Sequence, residues 1–192
     1  MKTFILAALL AVISTVSSYP MFKQCDSRWG TNPLGNWGGE TICSAGCTMS
    51  SLAMILSQCN TLVWGNPVTP ANLNQFLKAN GGFVQGNLLV FAASDVFQTA
   101  KFVTKTANAG SIQWYLDNGH AAILNIDNGA HWVLSYGYSG STFYVNDPYY
   151  DRKSYQSWEI VDSAIYKVPS SCLGKKVSHH HDSFLNYVKL VL

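Results

Sequence analysis

Charged side chains are scarce in this sequence. Asp, Glu, Lys and Arg make up 11% of its 192 residues, and the formal net charge is +2 at pH 7. Proteins that bind nucleic acids or anionic membrane surfaces usually carry a marked excess or a patch of Lys and Arg. We therefore expect neither nucleic acid nor a membrane surface among the partners of this protein.

Long apolar runs are also missing, with one short exception at the N-terminus. Residues 4–16 form an apolar run of 13 residues after Met1 and Lys2, and small residues follow up to Ser18. This order predicts a secretory signal peptide over residues 1–18. A membrane anchor is the alternative, but the run is shorter than the ~20 residues that a spanning helix needs. We therefore expect a secreted protein, or one delivered to the lumen of a secretory or lysosome-like compartment.

The sequence contains no Cys-x-x-Cys pair of the kind that holds structural zinc. Its cysteines are Cys25, Cys43, Cys47, Cys59 and Cys172. No matching Cys/His pair follows them, so we predict no metal and no cofactor. The run His179–His181 is interpreted as a solvated tail, because the sequence places no further ligand beside it. Five cysteines in an oxidising compartment leave one unpaired, and the other four can form two disulfide bonds by three pairings that stay open.

Repeats, low-complexity segments and linkers are absent as well. The length suits one domain with a sizeable core, so residues 19–192 are predicted to be a single domain. Helices are predicted from residues 47, 70, 87 and 111, and strands at residues 101–106, 121–126, 131–136 and 142–146. Helices come first and an antiparallel meander follows, which predicts an α+β fold with any active cleft between the two halves.

An apolar helix that begins near Cys47 is the strongest pattern in the chain. Met49, Leu52, Ala53 and Leu56 follow the spacing of one helix face. Cys47 falls in the first turn, where free backbone N–H groups and the positive end of the helix dipole favour a thiolate. We predict that Cys47 is the unpaired cysteine and a nucleophile. The alternative is a packed or disulfide-bonded cysteine.

A hairpin between the last two predicted strands supplies a candidate base. If Tyr138, Ser139 and Gly140 form a three-residue loop, His131 lies directly opposite Asp147. A carboxylate in this position orients an imidazole ring toward a nucleophile. A two-residue loop would shift the register by one. Alternatively, His131 is an ordinary half-buried strand histidine and Asp147 starts a turn.

Several motifs resemble one family of cysteine peptidases. The motifs are Gln24-x-Asp26-x-x-Trp29-Gly30, Ala45-Gly-Cys47-Thr-Met-Ser-Ser-Leu-Ala-Met54, Gly119-His-Ala-Ala-Ile-Leu124, His131-Trp-Val133 and Phe143-Tyr-Val-Asn-Asp147-Pro148. They are similar to the bacteriocin-processing, double-glycine leader peptidase domain and its secreted relatives in the papain-like clan. The resemblance implies a papain-like fold, with the nucleophile helix packed on an antiparallel sheet half. It also implies a Cys-His-Asp triad of Cys47, His131 and Asp147.

The same resemblance assigns the oxyanion donor to Gln24. In the leader peptidases this glutamine lies a few residues before the cysteine, whereas 23 positions separate Gln24 from Cys47 here. His120 competes with His131 for the role of base, but it matches a position that the family does not use.

The function predicted from these residues is that of a secreted cysteine peptidase. It would hydrolyse peptide bonds of a peptide or protein substrate through a thioester acyl-enzyme. An acyl transferase, a cell-wall amide hydrolase and a catalytically silent binding module are the alternatives. The oligomeric state is left open, with a monomer expected.

Overall fold

The computed structural model describes residues 19–36, 39–173 and 177–178. The predicted signal peptide and His179–His181 lie outside these residues. The helices are α1 (Ile42–Ala45), α2 (Cys47–Gln58), α3 (Pro70–Ala79) and α4 (Ala109–Asp117). The strands are β1 (Leu62–Val63), β2 (Asn66–Pro67), β3 (Phe83–Val84), β4 (Leu88–Leu89), β5 (Lys101–Lys105), β6 (His120–Ile126), β7 (His131–Ser139), β8 (Thr142–Asn146), β9 (Ser154–Gln156), β10 (Asp162–Lys167) and β11 (Val177–Ser178).

One sheet with the order β5-β10-β6-β7-β8-β9 forms the centre of the fold. The neighbours along this path are antiparallel, and β11 pairs in parallel with the end of β7. The chain is therefore mixed helix and antiparallel sheet, as the predicted α+β class requires. The predicted meander of β6, β7 and β8 is present.

Helices cover both faces of this sheet. Alternate residues of β6 point to opposite faces, so Ala121 and Ile123 pack in the core formed with α2 and α3. Ala122 and Leu124 pack in a second core, to which α4 contributes Ile112 and Leu116. Because α2 packs across β7, the first residue of the helix comes to lie beside the first residue of the strand.

Capping residues explain where α3 and α4 begin. Thr69 caps α3 by accepting a hydrogen bond from the backbone N–H of Asn72, and Pro70 occupies the first helical position, as predicted. Helix α4 begins at Ala109, two residues before the predicted start at residue 111. Asn108 is its cap, because its side chain accepts from the Ser111 N–H at 2.8 Å.

The helix predicted over residues 87–98 is absent. Strand β4 pairs with β3 there, and a 3₁₀ helix follows at Phe91–Phe97. Two side chains of this segment form hydrogen bonds to the chain at the start of β5, and these bonds favour the 3₁₀ helix over an α-helix. Ser94 donates to the Ala100 carbonyl at 2.9 Å, and Asp95 accepts from the Phe102 N–H at 2.7 Å.

Two disulfide bonds are present and Cys47 is free and buried. The pairs are Cys25–Cys43 and Cys59–Cys172, which settles the pairing that the sequence left open. The first bond attaches the irregular N-terminal segment to α1. The second joins the end of α2 to a 3₁₀ turn, Ser170–Cys172, that follows β10. In the part of the chain that the structure describes, no helix has the length and hydrophobicity needed to cross a membrane.

Candidate active site

Cys47 is the first residue of α2, and the short helix α1 leads directly into it. Thr41 and Ser44 form a capping box that fixes the start of α1. Gly46 then joins the two helices, and a Cβ atom at this position would lie 2.4 Å from the carbonyl oxygen of Ile42. The close approach of α1 to the start of α2 therefore requires glycine at position 46, and it fixes where the Cys47 side chain emerges.

His131 begins β7, after a turn at Asp127–Gly129. Its Nε2 atom lies 2.8 Å from Oδ1 of Asp147, and both side chains are buried. The structure thus brings together the histidine and the carboxylate that the sequence singled out.

The predicted register of this hairpin was nevertheless wrong. The loop has two residues, Gly140 and Ser141, so Ser139 pairs with Thr142, and a bulge follows between Ser135 and Gly137. Asp147 lies beyond the end of β8, in a turn where its Oδ1 atom accepts from the backbone N–H groups of Tyr149 and Tyr150 at 2.8 and 2.9 Å. Its side chain reaches His131 from this turn and not from a paired strand position.

The Cys47 thiol lies close enough to the ring of His131 for the two groups to interact electrostatically. Since Asp147 occupies Nε2, Nδ1 is the ring nitrogen left for the sulfur. Burial acts to raise the pKa of Cys47, but the hydrogen bond and charge of His131 lower it below its usual value. The backbone N–H of Trp132 and the hydroxyl of Thr48 contribute to the same lowering.

His131 and Asp147 stabilise each other's charged forms. Burial acts to lower the pKa of His131, but hydrogen bonds to Asp147 and Cys47 raise it to about 9. Burial likewise acts to raise the pKa of Asp147, while hydrogen bonds from His131, Tyr155 and the Tyr149 N–H hold it below its usual range. The arrangement therefore favours a thiolate–imidazolium pair next to a buried carboxylate.

Gln24 lies in the same cleft, although 23 positions separate it from Cys47 in the sequence. Its backbone N–H donates to the carbonyl of Pro148 at 2.8 Å, and its side-chain Nε2 donates to the carbonyl of Cys43 at 2.5 Å. The disulfide of the adjacent Cys25 holds the segment against α1. Contacts between residues distant in sequence thus bring Gln24 into the cleft that Cys47 lines.

The cleft has a volume of about 460 Å³, and the buried side chains of Cys47 and His131 line it. Gln24 lines it beside these two residues. Apolar and aromatic side chains form much of its wall, and they are Leu88, Leu89, Trp132, Tyr149 and Tyr150. A second cavity of about 350 Å³ adjoins it, because Asp127 and Tyr150 line both.

Two contributors to this site were missed in the sequence. The Trp132 backbone N–H acts through the main chain, so the identity of the side chain carries no signal for it. Tyr155 donates its hydroxyl to Oδ2 of Asp147 at 2.7 Å from β9, a strand that was not predicted. A single tyrosine between Ser154 and Gln156 gives no indication of a carboxylate partner.

His120 lies away from the cleft. It begins β6, and its ring contacts Tyr115 edge to face at a centroid distance of 5.2 Å. Among the described residues, no three His, Cys, Asp or Glu side chains are grouped closely enough to hold a metal ion.

Comparison with known proteins identifies the family. Searches of curated proteins and of solved structures found no significant match. The model of the Peptidase_C39 like family matches residues 16–168, which is well over half of the chain and includes Gln24, Cys47, His131 and Asp147. This chain therefore belongs to the Peptidase_C39 like family.

Proposed function

We propose that the protein is a secreted cysteine peptidase that hydrolyses peptide bonds through Cys47, His131 and Asp147. The observation that carries this proposal is the position of His131, whose ring interacts with the Cys47 thiol and whose Nε2 lies 2.8 Å from Oδ1 of Asp147. Family membership supports the reaction class. The free thiol at the head of α2 supports the choice of nucleophile.

In the first half of the proposed reaction, the Cys47 thiolate attacks the scissile carbonyl carbon. The C–N bond breaks and His131 gives its proton to the leaving amine, which leaves a thioester on Cys47. In the second half, His131 takes a proton from water, and the hydroxide attacks the thioester. The carboxylic product leaves, and the thiolate–imidazolium pair is restored.

The proposed oxyanion donors are the backbone N–H of Cys47 and the amide of Gln24. The first N–H groups of a helix have no partner within that helix. A primary amide carries two N–H donors, and one of those of Gln24 is used by the Cys43 carbonyl. The other is assigned to the substrate oxygen, where a donor of this kind contributes about 3 kcal/mol to transition-state stabilisation.

The proposed substrate is an extended segment of a peptide or protein, bound by a monomeric enzyme. The apolar and aromatic lining, which includes Leu88, Leu89, Tyr149 and Tyr150, favours apolar or aromatic side chains next to the scissile bond. The two disulfide bonds fit an oxidising compartment, which supports secretion.

The test compares three alanine variants on a fluorogenic peptide library. Cys47→Ala and His131→Ala are expected to abolish hydrolysis, because they remove the nucleophile and the base. His120→Ala is the matched control, since it removes a histidine outside the cleft, and it should keep most of the activity. Equal losses in the two histidine variants would contradict the assignment of His131.

The same preparations separate the other functions considered. An acyl transferase would form a product that carries an added amine, and a cell-wall amide hydrolase would cleave murein in preference to peptides. A binding module is favoured only if the Cys47 thiol of the purified protein is blocked in a disulfide bond.

A further inference from the structure

Asp147 is a buried carboxylate with an unequal distribution of donors. Its Oδ1 atom accepts three hydrogen bonds, from His131 Nε2 and from the backbone N–H groups of Tyr149 and Tyr150. Its Oδ2 atom accepts from the hydroxyl of Tyr155 at 2.7 Å, and within the described residues no second donor reaches Oδ2. The bond from Tyr155 thus fixes the oxygen that does not face His131.

Tyr155 is well placed to hold that bond. It lies on β9, pairs with Phe143 of β8, and is only 4% exposed. The guanidinium group of Arg152 lies 3.9 Å from the centre of its ring, and Arg152 is itself held by Glu159 at 2.7 Å. The ring therefore has little freedom to turn away from Asp147.

The direction of this hydrogen bond follows from the charges. Burial and the neighbouring carboxylate both raise the pKa of Tyr155 far above its usual value, so the phenol keeps its proton. An ionised carboxylate can only accept. Tyr155 is accordingly the donor throughout the pH range in which the site could work.

We propose that Tyr155 is a positioning residue that acts through Asp147. Its hydroxyl holds Oδ2, so that the carboxylate stays ionised and keeps Oδ1 directed at Nε2 of His131. The catalytic consequence rests on the proposed function, whereas the effect on the Cys47–His131 pair does not. Without the Tyr155 hydroxyl, Oδ2 is buried without a donor, so the ionised form of Asp147 is less stable and its Oδ1 is less firmly directed at Nε2. Both effects weaken its support of the imidazolium.

Tyr155→Phe removes one oxygen atom and keeps the ring. Because hydrogen bonds to charged groups are the stronger ones, we expect kcat to fall about 10-fold or more with little change in KM. The pH profile should narrow from both sides. The alkaline limb, set by His131, moves down from about 9, and the acid limb, set by the Cys47 thiol, moves up, each by about one pH unit.

A second readout needs no substrate. The rate at which iodoacetamide alkylates Cys47, measured against pH, reports the same thiolate–imidazolium pair. It should shift in Tyr155→Phe even if the protein cleaves no peptide. A shift in alkylation without any hydrolysis by the wild-type protein would therefore reject the proposed function and keep the positioning role.

Tyr138→Phe is the matched control. Tyr138 also donates its hydroxyl to a carboxylate, Oδ2 of Asp117, at 2.7 Å, but this pair joins β7 to α4 and does not line the cleft. This variant should keep the wild-type pH profile. In the Asp147→Asn background, Tyr155→Phe should have little further effect on alkylation, because both changes act on one carboxylate.

The proposal is overturned if Tyr155→Phe melts lower than the wild-type protein but keeps its pH profile, because the hydroxyl then serves stability alone. If Tyr155→Phe fails to fold, the hydroxyl is needed for stability, and the proposal is overturned as well. Additive effects of Tyr155→Phe and Asp147→Asn on alkylation would also contradict it.

Discussion

At the scale of single residues, Cys47 and His131 are two buried groups between which a proton can move. Moving the proton from the thiol to the ring creates two charges, and each is stabilised by groups beyond the pair. Asp147 supports the imidazolium, while the Trp132 N–H and the Thr48 hydroxyl support the thiolate. The pair should therefore remain charged at pH values where an isolated thiol is protonated.

Alkylation kinetics test this expectation directly. We expect iodoacetamide to modify Cys47 selectively, and at pH 6 faster than it modifies a model thiol, because the lowered pKa of Cys47 raises the thiolate fraction on the acid side of the usual value. Rates measured from pH 4 to 9, with peptide mapping of the labelled residue, give the result.

His131→Ala serves as the control for alkylation, and its rate should fall toward that of the model thiol. Labelling that goes mainly to another cysteine would show that the reactive thiol is not Cys47.

Helix position was sufficient to predict the free Cys47. His131 and Asp147 were singled out through a hairpin register that the structure does not show. Gln24 required the family resemblance, since a disulfide bond and hydrogen bonds to residues distant in sequence bring it to the cleft. Tyr155 could not be predicted, because its role depends on a hydrogen bond across the sheet edge and not on any local pattern.

At the scale of elements, the joint between α1 and α2 controls the site. Gly46→Ala should lower both the melting temperature and the peptidase activity, because the new Cβ atom would lie 2.4 Å from the Ile42 carbonyl oxygen and 2.9 Å from its Cγ2. Backbone must then shift at the residue that precedes Cys47. Overpacking of this kind typically costs about 1–3 kcal/mol, and thermal unfolding with an activity assay measures both effects.

Gly110→Ala is the matched comparison. Gly110 lies in the first turn of α4, and a Cβ atom there would meet the Asn108 side-chain oxygen at 3.3 Å. Alanine is also the better helix former by about 1 kcal/mol, so this variant should be near neutral in both measurements. If Gly46→Ala behaves in the same way, the joint does not constrain Cys47.

Elements with a clear period or cap were predicted from the sequence, and α2, α3 and the meander are examples. Strand β10 was missed although it lies between β5 and β6 in the sheet. Residues 163–166 of this strand are buried on both faces, so the alternation that marks a half-exposed strand is absent. The register of the β7–β8 hairpin was wrong because a bulge leaves no signature in composition.

At the scale of the whole molecule, the two disulfide bonds connect segments that the sheet does not join. Cys25–Cys43 spans 18 residues and Cys59–Cys172 spans 113. Loops of these sizes contribute about 3 and 5 kcal/mol to stability on the chain-entropy estimate. We expect mild reduction to lower the melting temperature and the activity together, because it also releases Gln24 from α1. Calorimetry and peptide hydrolysis, with and without reductant, measure the two effects.

A variant that lacks only the first bond separates the two contributions. Cys25→Ser combined with Cys43→Ser should lose activity with the smaller loss of stability, because the larger loop remains closed. Should reductant only raise activity and leave the melting temperature unchanged, the bonds do not support the site.

Cys47 and Cys59 lie at opposite ends of α2, and their separation matters while the chain is being synthesised. Cys59 is made 113 residues before Cys172, so at about 5–20 residues per second it waits roughly 6–23 s for its partner. Throughout that wait the free thiol of Cys47 is close in sequence. Once α2 has formed, its 12 residues keep the two cysteines roughly 18 Å apart, well beyond the ~7 Å that a disulfide tolerates between Cα atoms. If the helix forms during this interval, it keeps the Cys47 thiol out of a bond with Cys59.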